Sequence, residues 1–196
     1  PHSVIMRVNS ENGEAVAVWG EKTNANHVNI HPTDPDIILF AHEGGSTCVM
    51  QRMWVVNYRD KQMRQAIPLY PQRKGESVVH EYFTLQGDVG TQYTLQSERG
   101  TEQFNLFLRP DNTWIRQYRF PGSGRPGHIS SNSDNTLIIG DGAYIGGPED
   151  KEGRNFLGLM THENGLVKAR RLAWHGSSWL TQNSHPHPRF STDDKW

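Results

Sequence analysis

An all-β fold of the β-propeller class is what this sequence predicts, and three observations carry the prediction. Helix-period patterns are nearly absent. Short runs of β-branched, aromatic and aliphatic residues recur, cut by Gly, Pro, Asn and Asp, which reads as strands and tight turns. A unit of about 50 residues that opens on a histidine then repeats along the chain.

The strands come first. Ile37 to Phe40, Met53 to Val56, Phe104 to Leu108 and Leu137 to Ile139 are the clearest runs. The repeat organises them. His27, His80, His128 and His187 each open a short strand that runs into a polar turn with Asp or Gly and, in the first three, on into a second strand. They lie 53, 48 and 59 residues apart. Two further strands follow each opening pair: Arg52 to Tyr58 and Gln65 to Tyr70, then Gln103 to Arg109 and Trp114 to Phe120, then Asn155 to Thr161 and Leu166 to Trp174. Four strands per repeat describe a propeller blade. The polar stretch Gly146 to Arg154 is the best loop candidate, and Ser3 to Trp19 supplies the last two strands of a preceding blade.

The expected organisation is one partial propeller domain over 1–196. Its blade units are roughly 1–26 (partial), 27–79, 80–127, 128–183 and 184–196 (partial), about four blades' worth. Propellers hold roughly four to eight blades. The chain opens on Pro1 and closes on Trp196, inside an expected strand from Phe190 to Trp196, so it reads as a fragment.

Composition narrows the function. A net charge of −1 gives no global field to recruit nucleic acid. An acidic ligand would need a few local arginines or a metal. The single cysteine, Cys48, forms no intrachain disulfide and suits a reducing cytoplasm. No apolar run reaches the roughly 18 residues of a membrane span, so neither membrane nor nucleic acid is an expected partner. Gly-rich phosphate loops, Gly-x-Ser-x-Gly elbows and Cys-x-x-Cys pairs are missing from the sequence. The unusual number is ten histidines, beside six tryptophans.

In a propeller the first strand of each blade lines the central channel, so His27, His80, His128 and His187 should face one axis. The approach to the last is Gln182-Asn183-Ser184-His185-Pro186-His187-Pro188. Two histidines two apart in an extended segment project to one side, and the flanking prolines stiffen the backbone. With His128 from the neighbouring blade and Gln182, they offer three nitrogens and one oxygen, a set that suits Mn, Fe, Ni or Zn. His162 and His175 fall in outer strands or loops and are expected to be solvated. Glu81 is expected to point away from His80 along the strand. The tryptophans should pack between blades rather than bind sugar, with Trp174 and Trp179, close to the histidine cluster, as the exceptions.

The stretch Gln182 to Trp196, with its Gln-x-x-His-x-His, resembles the metal site of bacterial oligogalacturonate lyases, which are seven-bladed propellers. His31-Pro-Thr-Asp-Pro-Asp-Ile-Ile-Leu-Phe-Ala-His-Glu-Gly44, Gln51-Arg-Met-Trp54 and Val79-His-Glu-Tyr-Phe83 carry the same likeness. The resemblance implies a manganese ion held by three histidines and a glutamine, which fall on His128, Gln182, His185 and His187. It implies a histidine base with an arginine near it, matched by His80 and Arg52. Arg52, His42 and Trp179 are then the expected substrate contacts. The implied activity is β-elimination on short α-1,4-linked oligogalacturonides such as digalacturonate, yielding unsaturated uronides in a bacterial cytoplasm. The family's early blades and C-terminal end would lie outside these 196 residues.

Two other readings are compatible with the repeat. A non-catalytic, protein-binding propeller of TolB type predicts neither a bound metal nor a ring of inward histidines. A propeller lyase for another uronic-acid polysaccharide predicts the same metal site with different sugar contacts. Fold does not choose among them.

Overall fold

A computed structural model describes residues 3–44, 49–59, 67–98, 100–120, 126–143, 150, 152–181 and 184–196. Strands β1 (Ser3–Val8) and β2 (Ala15–Glu21) pair antiparallel. Strands β3 (Ala25–Ile30), β4 (Ile37–His42), β5 (Met53–Asn57) and β6 (Ile67–Pro68) form an antiparallel meander. A second meander follows: β7 (Glu76–Phe83), β8 (Val89–Ser97), β9 (Gly100–Leu108) and β10 (Trp114–Arg119). The third is β11 (Ile129–Ser131), β12 (Leu137–Gly140), β13 (Phe156–Glu163) and β14 (Leu166–Trp174). A single parallel pairing, Arg119 with Leu166, joins the outer strands of the second and third meanders. These are the blades of a β-propeller. Among the described residues no helix is long and apolar enough to cross a membrane.

The strand sequences explain why the sheets stack. Side chains alternate between the two faces of a strand, and here both faces are apolar. In β4, Ile38 and Phe40 pack with Ile5, Val18 and Val56, between the first pair of strands and the first meander. Leu39, between them in sequence, faces the opposite way. It packs with Met53, Val55, Leu69, Val78, Val89, Leu106 and Leu108 against the second meander. Strand β9 repeats the device: Leu106 and Leu108 face back, while Phe107 faces forward to Ile129, Ile138, Met160 and Val167. Uninterrupted runs such as Ile37 to Ala41 therefore mark strands buried on both faces. Trp19 and Trp54 pack between sheets as expected. Trp114 is half exposed but its ring meets that of Tyr70, which follows β6, at 5.9 Å, whereas Trp196 is exposed.

The first strands of the sheets carry a matched irregularity. The β3–β4 register shifts between Asn26 and Asn29, and the β7–β8 register between Val79 and Tyr82. At these bulges His27 and His80 take left-handed backbone angles, φ 50° and 57°. A bulge re-aims a side chain, and a left-handed non-glycine residue costs on the order of 1–3 kcal/mol.

Three expectations need correction. Residues 190–196 form no strand. Local hydrogen bonding wins there: Asp193 Oδ1 accepts from Ser191 Oγ at 2.7 Å and from the Lys195 backbone N–H at 3.3 Å, closing a turn. His175 is half-buried rather than solvated, its Nε2 2.8 Å from the Arg154 carbonyl oxygen. His162 lies flat on Tyr118, with ring centroids 3.6 Å apart and planes within 2°. The expected loop from Gly146 lies partly outside the described residues; its end, Gly153–Asn155, is a 3-10 turn.

Burial, with a smaller effect of Arg116, pushes the His162 imidazole down to about 4 from its ordinary 6.5. The unfolded chain therefore takes up that proton first as pH falls, and the stabilisation present above pH 6.5 is lost down to about pH 4. We expect His162→Phe, which keeps the stack on Tyr118, to lose less melting temperature than the parent between pH 7 and pH 4. Parallel pH curves for the two proteins would contradict this account of His162.

Candidate metal centre

His128, His185 and His187 each present a ring nitrogen, and these atoms lie within 4.8 Å of one another. The rings of His128 and His187 overlap, with centroids 3.5 Å apart and planes at 23°. The ring of His185 lies 5.2 Å from that of His128. The convergence has a different backbone origin from the expected extended pair. Residues 184–190 are not a strand, and His187 sits at φ 48° between two prolines. Burial, then the neighbouring His128, hold the His187 imidazole below its ordinary value, with Asp141 opposing. It is therefore neutral near pH 7, the form that binds metals.

The cluster fits a divalent metal on two further counts. Among the described residues, His185 Nδ1 is buried without a hydrogen-bond partner, which is costly unless something fills it. His128 is oriented by a buried carboxylate. Asp141 Oδ2 lies 2.6 Å from His128 Nδ1, and Asp141 Oδ1 accepts the His128 backbone N–H at 2.6 Å. Burial works to raise the Asp141 carboxyl, but the bonds from His128 prevail and hold it below its ordinary value. With Nδ1–H spent on Asp141, His128 Nε2 is left as the ligand atom, a common arrangement behind metal-bound histidines. Gly127 makes room for it: a Cβ there would stand 2.7 Å from Asp141 Oδ1.

His80 stands beside this cluster, its ring 4.6 Å from that of His128. Its Nδ1 is 3.1 Å from Oε1 of Gln92, which is fully buried. The Gln92 amide donates from Nε2 to the Pro126 carbonyl oxygen at 3.2 Å. That bond turns the amide oxygen toward His80, so His80 carries its proton on Nδ1 and its lone pair on Nε2.

Arg52 lies in a third group. It donates to Glu81 from Nε at 2.9 Å and from Nη2 at 3.4 Å. Its Nη1 is 3.0 Å from Glu43 Oε2. His27 Nδ1 reaches the same Glu81 carboxylate at 3.1 Å. The hydrogen bond to Glu81 raises the His27 imidazole above its ordinary value, against the effect of burial. Burial of Glu81 is outweighed by His27 and Arg52, which hold its carboxyl low. Glu81 thus turns to the preceding sheet.

One cavity of about 290 Å³ gathers much of this. His27, His80, Glu81, His128, His187 and Arg189 line it, from β3, β7, the start of β11 and the segment after His185. Arg52 and His42 border a second cavity of about 440 Å³ instead. The His42 ring lies tilted against Trp54, with centroids 4.9 Å apart and planes at 35°, and its Nε2 is 3.5 Å from Glu21 Oε1.

A sequence profile described as oligogalacturonate lyase matches residues 1–196. The chain belongs to the oligogalacturonate lyase family. It is 30% identical over 203 residues to an oligogalacturonate lyase of Dickeya dadantii (strain 3937), covering 97% of this chain and 50% of that protein. It is 31% identical over 204 residues to an oligogalacturonide lyase of Pectobacterium atrosepticum, again covering 97% and 50%. The chain thus spans about half the length of these curated relatives. Among solved structures it is similar to an oligogalacturonate lyase in complex with manganese, at TM-score 0.74 and 28% identity over 97% of this chain and 48% of that one. The fold is also that of an oligogalacturonate lyase from Vibrio parahaemolyticus, at TM-score 0.78 and 24% identity, covering 99% and 50%.

For this member of the oligogalacturonate lyase family, the structure brings together His80, His128, His185 and His187. His187 is not on a first strand as the repeat predicts, and His128 immediately precedes β11. Gln182 lies outside the described residues. Trp179 does approach the cluster, with its ring 4.6 Å from that of His185. Sequence reasoning missed Asp141 and Gln92. Asp141 sits in Gly140-Asp141-Gly142, which reads as an ordinary turn, and Gln92 reads as one polar residue in a strand.

Replacing Asp141 by Asn keeps the shape but removes the charge behind His128. We expect metal affinity to fall roughly 10- to 100-fold, measured by calorimetric Mn²⁺ titration of the full-length protein. Unchanged affinity would show that Asp141 does not support the ligand.

Proposed function

We propose that the full-length protein is a manganese-dependent lyase that cleaves short α-1,4-linked oligogalacturonides, such as digalacturonate, by β-elimination. One observation carries the reading. In a chain of the oligogalacturonate lyase family, three histidines with converging ring nitrogens stand beside a fourth, His80, whose Nδ1 is held by the buried Gln92 amide. The manganese in a relative's structure supports the choice of metal. We further propose a whole protein of seven four-stranded blades. Fourteen strands are described here, in a chain spanning about half of its curated relatives.

In this proposal His128, His185 and His187 supply three nitrogen ligands and Gln182 supplies an oxygen. The bound metal would spread the negative charge that develops on the substrate carboxylate and so acidify the neighbouring C5 proton. His80 Nε2 takes that proton. A neutral imidazole is the side chain best suited to accept a proton at neutral pH. Gln92 keeps the lone pair on the correct nitrogen. As the proton leaves C5, the C4–C5 double bond forms and the C4–O bond breaks, and the expelled oxygen takes a proton from solvent. Arg52 acts from behind the β7 strand: it holds Glu81, which holds His27 at the cavity wall. Trp179 offers an aromatic face to a sugar beside His185.

The test uses the full-length protein, digalacturonate and the ultraviolet absorbance of the unsaturated product. Chelation should abolish turnover and Mn²⁺ should restore it. His80→Ala should lower kcat by about 10²–10⁴-fold, the usual worth of a general base, with metal content unchanged. Near-normal turnover by His80→Ala would place the base elsewhere. Full activity after chelation would overturn the metal-dependent mechanism.

A further inference from the structure

We propose that Arg189 is the residue that grips a uronate carboxylate of the substrate in the histidine cavity; the inference rests on the lyase reading above. An oligogalacturonide carries one carboxylate on every sugar. A metal can serve the carboxylate at the reacting sugar, but a cavity that takes a second sugar needs a second cation. Arg189 is the Arg or Lys among the residues that line the cavity.

The other charges near the cavity are already matched. Glu81, on the cavity wall, is neutralised from behind by Arg52 at 2.9 Å. Arg52 is itself occupied: Nε and Nη2 lie on Glu81, and Nη1 lies on Glu43. A guanidinium facing two carboxylates has no net charge to offer a third, and this one borders a different cavity. Arg189, in contrast, is exposed and makes no ion pair among the described residues. Its donors are free for a bidentate carboxylate contact.

The backbone that carries Arg189 is fixed on both sides. Ser130 Oγ donates to the Pro188 carbonyl oxygen at 3.1 Å. The Ser133 backbone N–H donates to Asp194, at 3.0 Å to Oδ1 and 3.1 Å to Oδ2. Both anchors belong to the β11–β12 hairpin, which begins at His128. Arg189 also follows His187 by two residues. One pinned stretch therefore sets the distance between the metal ligands and the cation, which is what reading the spacing of two carboxylates along an oligomer requires. The low entropy cost of a pre-fixed site favours binding.

The experiment compares full-length parent, Arg189→Gln, Arg189→Lys and Arg52→Gln, loaded with Mn²⁺, on digalacturonate and trigalacturonate. Arg189→Gln should raise KM roughly 10- to 100-fold, the worth of a charged hydrogen-bonded contact. Its kcat should stay within a few-fold of the parent and its metal content should be unchanged. Arg189→Lys should recover part of the loss, because it keeps the charge but not the fork. Parent KM in Arg189→Gln would overturn the proposal, as would a KM increase found in Arg52→Gln alone. If the parent itself releases no unsaturated product, the lyase reading fails separately. Calorimetric titration of the same proteins with digalacturonate then decides the role of Arg189, since the loss of affinity does not depend on turnover.

Discussion

The first two meanders have apolar side chains on both faces, and hiding both requires a neighbour on each side. Ile38 and Phe40 need one neighbour, Leu39 the other; Leu106 and Leu108 need one, Phe107 the other. Sheets with that requirement stack face to face. Consecutive meanders then place their first strands side by side, which gathers residues 27, 80 and 128 at one cavity although they are about 50 residues apart in sequence. The residues lining the cavity inherit their proximity from the core. No contact within the cavity is needed to create it.

What the core does not provide is orientation, and polar partners buried behind the cavity wall supply that. Asp141 holds His128 by ring and backbone, Gln92 holds the ring of His80, and Glu81 ties His27 to Arg52. Each fixes which nitrogen of an imidazole carries the proton or what charge it bears. The strained backbone points in the same direction. His27, His80 and His187 all have left-handed φ values, at bulges or between prolines. Such conformations persist where surrounding structure holds them, and they gather at functional sites.

The sheets were legible in the sequence because the signal is local. β-Branched and aromatic runs between turn residues mark strands, and the repeat of the histidine marks the blade. The cluster of His128, His185 and His187 was legible for the same reason, as two of its members are sequence neighbours and the third follows from the repeat. The supporting residues were not. Asp141 and Gln92 lie 13 and 12 residues from the histidines they hold, and Glu81 lies 29 from Arg52. Nothing local separates a buried polar strand residue from a solvated one. The same blindness made His162 read as solvated, although its ring is covered by Tyr118. At the C-terminal end, Phe190 to Trp196 read as a strand, but the side chains of Ser191 and Asp193 bond to each other and to the nearby chain and turn it.

In the proposed metal centre, three imidazole nitrogens from two places in the sequence share one metal ion. Pulsed electron paramagnetic resonance of the full-length protein with one equivalent of Mn²⁺ reads this directly, because each ligating imidazole adds a nitrogen coupling. The expected spectrum shows nitrogen couplings from histidine that diminish by one ligand in His128→Ala and again by one in His185→Ala. A spectrum of hydrated manganese with no nitrogen coupling, or couplings unaffected by either substitution, would contradict it.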